Sequence, residues 1–548
     1  MDKFLNKARG KITEQLNKHI PGDGQPFFRP DQEGSAAGQT AISTSCNPLQ
    51  PPTAEDCFRY RYQYGTNLGS IFVLEKWLSG SMFPEGAEGT AELAAATAQL
   101  KQKGLSGAVQ AFENHWRTAL IDEDLDWLAN VAHCATIRLP IGFWDLGPEF
   151  CKGTPFANVA QVYTSAWAFI KNTVARCHES GIGVLIDVHG LPGGANENEH
   201  SGTNSGKAEL WGNRAYLELS IRCFEFIATE VRNGMRGVIG LQLCNEAERN
   251  IPGMYKWYDR CLQAVQRIDA TMPIYISDAW DLPPCIEYCK RKNVAAALNS
   301  NPVFIDTHLY WAFHDPGSPQ HAIQDVSNKL RALDGKDGNV IDGGAVQAFV
   351  GEYSCVLNED TWSKSGGETR EHLETGFGRA QVHRYVERSG GCTFWTYKMD
   401  WMQWAGGWGF RSQTDAGNIS CPANLKLSHD DVHSRLSRAL VDRNGKLESA
   451  FNSHVTYWSQ TSPGQAFEHW RYRIGYEHGF DDLTVFFGMR ANGQIPSRGP
   501  PTGGDLIGCL DMWVLKRIRD TGTAGPFAWL YEQGFRKGYE DCRQSLGV

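Results

Sequence analysis

The sequence predicts a (β/α)₈ barrel with an N-terminal extension and a C-terminal helical extension. Between about residues 60 and 400, short apolar runs of β-forming residues alternate with stretches of helical period. Eight such runs are expected as strands, near 65–69, 135–141, 182–189, 237–244, 273–278, 303–309, 347–352 and 391–397. Several of them close on a polar or aromatic side chain, as expected of a parallel barrel, which collects its chemistry at the C-terminal ends of its strands.

Residues 1–20 open the chain with Phe4, Leu5, Ala8, Ile12, Leu16 and Ile20 on one helical stripe and Lys3, Lys7, Arg9, Lys11 and Lys18 around the rest. Such a helix docks on the body of the protein, on a partner subunit (including a second copy) or on an anionic membrane surface, and docking on protein is the favoured expectation. From Pro21 to about Thr53, Pro, Gly, Ser and Gln mark a linker. The chain is therefore expected to divide into a leading helix with linker (1–55), a barrel domain (56–450) and a helical extension (451–548). Within the barrel, the Ala- and Gly-rich stretch at 85–109 has helix formers without a clear period and is expected to be an insertion over one edge.

Beyond residue 450 an internal echo stands out: Gly475-Tyr476-Glu477-His478-Gly479-Phe480-Asp481-Asp482 against Gly534-Phe535-Arg536-Lys537-Gly538-Tyr539-Glu540-Asp541. Glycines four apart share one helix face and admit a second backbone, so the echo predicts two helices clamped together. The Gly/Pro-rich segment 491–507 between them is expected to be a loop.

Composition narrows the function. A net charge of −9 without a basic stripe argues against a nucleic-acid surface. The aromatic supply, 18 Trp, 18 Tyr and 26 Phe, offers faces for sugar rings, although a large core uses the same residues. The first residues lack the apolar core and cleavage site of a secretory signal, and no segment has the apolar length to span a bilayer. Fifteen cysteines are an odd number, and Cys244, Cys355 and Cys392 lie in or beside apolar runs, which predicts reduced thiols and a cytoplasmic protein, with unconventional export left open. Cys285 and Cys289 have no second close pair, so a zinc site is not expected.

Two glutamates carry most of the chemistry: Glu246 after Gly-Val-Ile-Gly-Leu-Gln-Leu-Cys-Asn, and Glu352 after Val-Gln-Ala-Phe-Val-Gly. A carboxylate following a buried strand pays a desolvation cost, and two of them suggest a pair converging on one site. Paired carboxylates are the machinery of glycoside hydrolysis. Arg138, His189, His308, Tyr310 and Trp395 follow apolar runs in the same manner.

Over roughly residues 60–410 the chain resembles glycoside hydrolase family 5 of clan A, and within it the fungal exo-β-1,3-glucanases. The resemblance rests on ordered motifs: Gly65-Thr66-Asn67-Leu68-Gly69 with Leu74-Glu75-Lys76-Trp77, His115-Trp116, Ile137-Arg138-Leu139-Pro140, Asp187-Val188-His189-Gly190, Asn245-Glu246, His308-Leu309-Tyr310, Gly351-Glu352-Tyr353 and Phe394-Trp395-Thr396-Tyr397-Lys398. It implies Glu246 as general acid/base and Glu352 as nucleophile of a retaining reaction, with Arg138 and Tyr310 donating to Glu352 and Glu246 holding its proton until the leaving group needs it. It further implies Asn245 on the sugar 2-hydroxyl, His189 and His308 on sugar or carboxylate, Trp395 as the floor beneath the sugar whose bond is cut, Glu75 on a terminal glucose hydroxyl, and Trp280 as a clamp for the next sugar. No metal or organic cofactor is implied.

The expected substrate is a β-1,3-glucan or oligosaccharide cleaved from its end. A second expectation is a β-glucosylated lipid or small aglycone, which the basic leading helix suits; a third is a weakly active barrel kept for assembly. Ala247 stands where many relatives have proline, and Glu248-Arg249-Asn250 is more charged than a simple glucan groove requires.

Overall fold

Eight parallel strands close into a barrel in the computed structural model of the chain, in the order β1 to β8 with β8 returning to β1. They are β1 (Gln63–Asn67), β2 (Thr136–Gly142), β3 (Gly183–Gly190), β4 (Val238–Gln242), β5 (Ile274–Ser277), β6 (Val303–Trp311), β7 (Ala348–Leu357) and β8 (Gly391–Phe394). The structure describes residues 47–334, 340–400, 406–522 and 525–548. The amphipathic stripe and all but the end of the linker, residues 1–46, lie outside the described residues.

Alternation along each strand sorts side chains between two environments. Ile137, Leu139 and Ile141 of β2 and Val184, Ile186 and Val188 of β3 join the large core of barrel and surrounding helices. The residues between them, Arg138 and Asp187, bond to partners from other strands across the barrel interior. Below that polar layer, apart from the Thr136–Gln63 hydrogen bond, the interior is apolar. Leu185, Tyr275, Phe304 and Phe349 share a second core with Phe58 and Tyr60 of the Ala54–Tyr60 helix and with the C-terminal helices, and Tyr275 stacks on Phe304 at 4.9 Å. The barrel thus carries an apolar floor, a buried polar layer and, above it, the ends of the strands.

The C-terminal helices are His429–Thr461, His469–Gly488, Leu510–Thr521 and Ala528–Leu546. The glycine echo does what its spacing predicts. A Cβ on Gly475 would stand 2.2 Å from the Tyr531 carbonyl oxygen, one on Gly479 2.0 Å from that of Phe535, and those on Gly534 and Gly538 2.0 Å from those of Tyr472 and Tyr476. The closeness is reciprocal, so neither helix tolerates a side chain there. Arg61, fully buried, ties this region to the barrel through Asp505 at 3.5 Å and the carbonyl oxygens of Ala135 and Gly181.

Several elements depart from the sequence pattern. β1 begins and ends two residues early, and β4 and β8 stop at Gln242 and Phe394. β6 and β7 run past the rim to Trp311 and Leu357 as a paired ribbon with two register shifts, so Glu352 sits inside its strand rather than after it. The stretch at 85–109 opens into a helix, Glu92–Thr118, broken at Gly104, whose φ is 66°. The break resets the helical phase, which is why one continuous period was absent, yet Ala95, Ala96, Phe112 and Trp116 still reach the core.

Candidate active site

Arg138 organises the centre. A guanidinium has five N–H groups in a fixed fork, and here each has an acceptor. Nε donates to Gln242 Oε1 at 2.9 Å, and Nη1 to Asn67 Oδ1 at 2.9 Å and Glu352 Oε1 at 2.8 Å. Nη2 donates to Asn245 Oδ1 at 2.8 Å and meets Asp187 Oδ2 at 3.0 Å. Five acceptors from β1, β3, β4, β7 and the β4–β5 loop therefore converge on one fully buried side chain.

Glu352 is held on both oxygens, Oε1 by Arg138 and Oε2 by the Tyr310 hydroxyl at 2.8 Å. Burial and the neighbouring carboxylates raise the pKa of Tyr310, so its hydroxyl remains a donor. Glu246 lies across from it in a turn with φ 42°, a left-handed conformation that is rare for a side-chain-bearing residue and aims the carboxylate inward. Its Oε1 is 2.8 Å from His308 Nδ1 and its Oε2 3.2 Å from His200 Nε2. One oxygen of Glu246 and one of Glu352 lie within 4.8 Å of each other.

The three imidazoles differ in proton state. His308 faces carboxylates on both nitrogens, with Asp306 Oδ2 3.0 Å from Nε2 and Glu352 Oε2 3.4 Å from Nδ1. Burial opposes its charge, but Glu352, Asp306 and Glu246 together hold it well above the ordinary imidazole range. His189 is the opposite case. Burial pulls its pKa down against the opposing pull of Asp187; its Nδ1–H donates to Asp187 Oδ2 at 2.7 Å and its Nε2 receives the Asn245 amide at 3.2 Å. His200 Nδ1 lies 3.2 Å from the same amide nitrogen, and although burial opposes its charge, Glu246, Glu75 and Glu352 draw it up towards about 9.

One expectation is corrected. Glu246 was expected to hold its proton at rest, yet burial, which favours the proton, is outweighed by His200 and His308, and its carboxyl is held well below the usual range.

The other expected residues fall around this centre. Trp395 is buried and stacks against His189 at 5.9 Å. Glu75 is buried, accepts from Trp77 Nε1 at 2.9 Å, and is raised by burial to about 7. Trp280 stands half-exposed at the rim and meets the cluster edge-on through His308, with ring centroids 6.2 Å apart. His308 touches both catalytic candidates, whereas His189 reaches neither and instead fixes Asn245.

Sequence reasoning did not single out Asn67, Asp187, Gln242, Asp306 or His200. Asp187 and Asp306 had a signal: each stands two residues before an expected histidine, which puts it on the same face of its strand. His200 had none, since it lies in a Gly/Asn/Ser-rich loop. The rim aromatics were also missed, with Trp408 within 6.2 Å of Trp77, Tyr310 and Phe313 and with Phe313 largely exposed.

Residues 98–400, more than half of the chain, match the family model described as cellulase (glycosyl hydrolase family 5). The chain belongs to glycosyl hydrolase family 5. Residues 439–546 of this glycoside hydrolase match a second model, the glucan 1,3-beta-glucosidase 3 C-terminal domain. It is 29% identical over 533 residues to an uncharacterized glycosyl hydrolase of Saccharomyces cerevisiae, covering 92% of this chain and 96% of that one. It is also 29% identical over 489 residues to glucan 1,3-beta-glucosidase 3 of Schizosaccharomyces pombe, covering 88% and 96%. Among solved structures, rutinosidase from Aspergillus niger superposes with a TM-score of 0.51 at 17% identity, covering 66% of this chain and 98% of its own. That likeness concerns the fold.

Proposed function

We propose that this hydrolase releases glucose from the end of a β-1,3-linked glucan or oligosaccharide with retention of configuration, Glu352 acting as nucleophile and Glu246 as acid/base. The observation that carries the reading is the approach of the two carboxylates to within 4.8 Å. Retaining enzymes need about 5–5.5 Å between carboxyl groups, and inverting ones about 6.5–9.5 Å to admit a water. Glu352, pinned by Arg138 and Tyr310, attacks the anomeric carbon while Glu246 protonates the departing oxygen. Loss of the Glu352 charge in the glycosyl-enzyme then leaves Glu246 as the base that activates water.

Asn245, oriented by Arg138, is suited to bind the 2-hydroxyl, and Trp395 to lie beneath the sugar ring. On this reading Glu75 binds a terminal glucose hydroxyl and Trp280 clamps the next sugar. The glucan preference draws on the name of the Schizosaccharomyces relative and on the match of residues 439–546. No helix among the described residues is long and apolar enough to cross a membrane. Every described cysteine is free and buried, which supports a reducing, cytoplasmic setting.

The test is glucose release from a laminari-oligosaccharide, with the anomer of the first product read by NMR, for wild type beside Glu352→Gln. Release of the β-anomer that disappears in the variant supports the reading. An α-anomer first product refutes retention, and no release by folded wild type moves the substrate to a β-glucoside with an apolar aglycone, for which the exposed Trp280 and Phe313 rings form a suitable rim.

A further inference from the structure

Glu246 is gripped on both oxygens, and the two grips are chemically unequal. His308 is locked as a cation because each of its nitrogens meets a carboxylate. His200 meets Glu246 Oε2 through Nε2, but its Nδ1 meets an amide, the Asn245 NH₂. That amide cannot be turned round, since its oxygen is taken by Arg138 at 2.8 Å. An N–H pointing at Nδ1 favours a lone pair there, while the surrounding carboxylates favour a proton. His200 is thus the one partner of Glu246 whose second proton depends on where the Asn245 amide points.

The loop around His200 is built to hold it there. It forms a short 3₁₀ turn, Glu199–Ser201. Glu199 Oε2 accepts from the Thr90 hydroxyl, and Asn204 Oδ1 accepts from the backbone N–H groups of Thr90 and Ala91 at 3.0 Å. Asn196 Nδ2 donates to the Glu246 carbonyl oxygen at 3.0 Å. Gly202, with φ 95°, has the Trp144 ring where a Cβ would stand, 2.2 Å away. These contacts join the loop to the segment that precedes the Glu92–Thr118 helix and to the turn that carries the acid.

We propose that His200 is the proton partner of Glu246, loading the acid when the sugar 2-hydroxyl takes the Asn245 N–H away from His200 Nδ1. The proposal rests on the reading of Glu246 as acid/base. While the amide donates to Nδ1, His200 is neutral with its proton on Nε2; once released, Nδ1 takes up a proton from solvent and the imidazolium passes its Nε2 proton to Glu246 Oε2, which leaves neutral His200 and a protonated acid. Glu246 gives that proton to the departing glycosidic oxygen as the C–O bond breaks. When Glu246 later takes a proton from the attacking water, it returns it to His200 Nε2, and Nδ1 gives its proton back to solvent as the amide N–H returns, which restores the inventory. The ionisable groups facing His200 are Glu246 after β4, Glu75 after β1, Glu352 on β7 and His189 on β3, its ring 5.3 Å away, with Glu199 in its own loop.

The experiment compares wild type, His200→Gln and Glu246→Ala on laminaribiose and on 2,4-dinitrophenyl β-glucoside, whose leaving group departs without protonation. Glutamine keeps an N–H for Glu246 but cannot carry the proton. In His200→Gln the alkaline limb of the kcat/KM profile on laminaribiose is expected to move down by about one pH unit or more, because the proton then resides on Glu246 alone beside the His308 cation. The same variant is expected to lose about tenfold or more on laminaribiose while sparing the dinitrophenyl substrate. Thr90→Val, which loosens the loop without touching the imidazole, gives the same direction more weakly and serves if His200→Gln does not fold. An alkaline limb that coincides with wild type, or equal losses on both substrates, overturns the proposal. If Glu246→Ala itself fails to spare the dinitrophenyl substrate, the acid/base reading falls instead.

Discussion

Replacing Arg138 by lysine tests whether the site is ordered by a charge or by a fork of hydrogen bonds. Lysine keeps the positive charge near Glu352 and Asp187 but offers three donors on one nitrogen, where arginine satisfies acceptors on Gln242, Asn67, Glu352, Asn245 and Asp187. At least two of those buried acceptors lose their donor. Each unmet buried group costs about 1–3 kcal/mol, so the expected loss of stability is about 2–6 kcal/mol. Activity should fall further than stability alone dictates, because Glu352 and Asn245 are positioned by the same fork, and a displacement of about 1 Å costs on the order of a hundredfold. Urea unfolding followed by tryptophan fluorescence gives the first quantity from the midpoint at constant slope, and kcat/KM well below the transition gives the second. If Arg138→Lys unfolds within about 1 kcal/mol of wild type and keeps more than about a tenth of its kcat/KM, the charge suffices and the five-bond account is wrong.

Tyr310→Phe removes the 2.8 Å donor to Glu352 Oε2 while Arg138 stays in place, and kcat/KM is expected to fall about ten- to a hundredfold with an unchanged unfolding midpoint. Glu75 is raised by burial to about 7, above its unfolded value, so it releases its proton later in the folded chain. Its contribution to stability is whole below about pH 4.3 and is lost as pH rises through 7, and Glu75→Gln is expected to flatten that fall by up to about 3 kcal/mol between urea midpoints at low and high pH. Gly479→Ala places a methyl 2.0 Å from the Phe535 carbonyl oxygen and is expected to lower stability by about 3 kcal/mol or more, whereas Gly445→Ala, in the His429–Thr461 helix with nothing within 4 Å, is expected to be neutral or to stabilise by about 1 kcal/mol.

The barrel was legible because its strands are buried on both faces and bounded by helical periods, and the centre of the site because Arg138, Glu246, Glu352, His308 and Tyr310 interrupt apolar runs that have no other use for them. What stayed hidden has two physical causes. Where strands pair beyond the rim, as β6 and β7 do, polarity along the chain does not mark the end of the ladder, and Glu352 was read as terminal when it lies inside its strand. Where a side chain reaches the site from a loop, as His200 and Phe313 do, its position depends on distant anchors such as Thr90 rather than on a local period. The helical glycine clamp lies between these cases, since its contacts are distant but its spacing is local.

The asymmetry of the site follows from the kinds of partner its carboxylates have. Glu352 accepts from Arg138 and Tyr310, a guanidinium that does not titrate and a phenol whose pKa is raised, and has His308 Nδ1 as a more distant neighbour at 3.4 Å. Glu246 is bound by two imidazoles, the side chains whose charge changes most readily there. Two like carboxylates within 4.8 Å repel, and a site that must keep one charged while the other cycles needs surroundings that differ in this respect. On the proposed assignment, the nucleophile sits where Arg138 and Tyr310 donate to its two oxygens and the acid/base where an imidazole nitrogen stands one hydrogen bond away from each oxygen. Exchanging the partners rather than the glutamates should therefore disturb the roles: with Tyr310 lost, Glu352 is freed on one oxygen, and with His200 lost, Glu246 keeps its place and forfeits its supply.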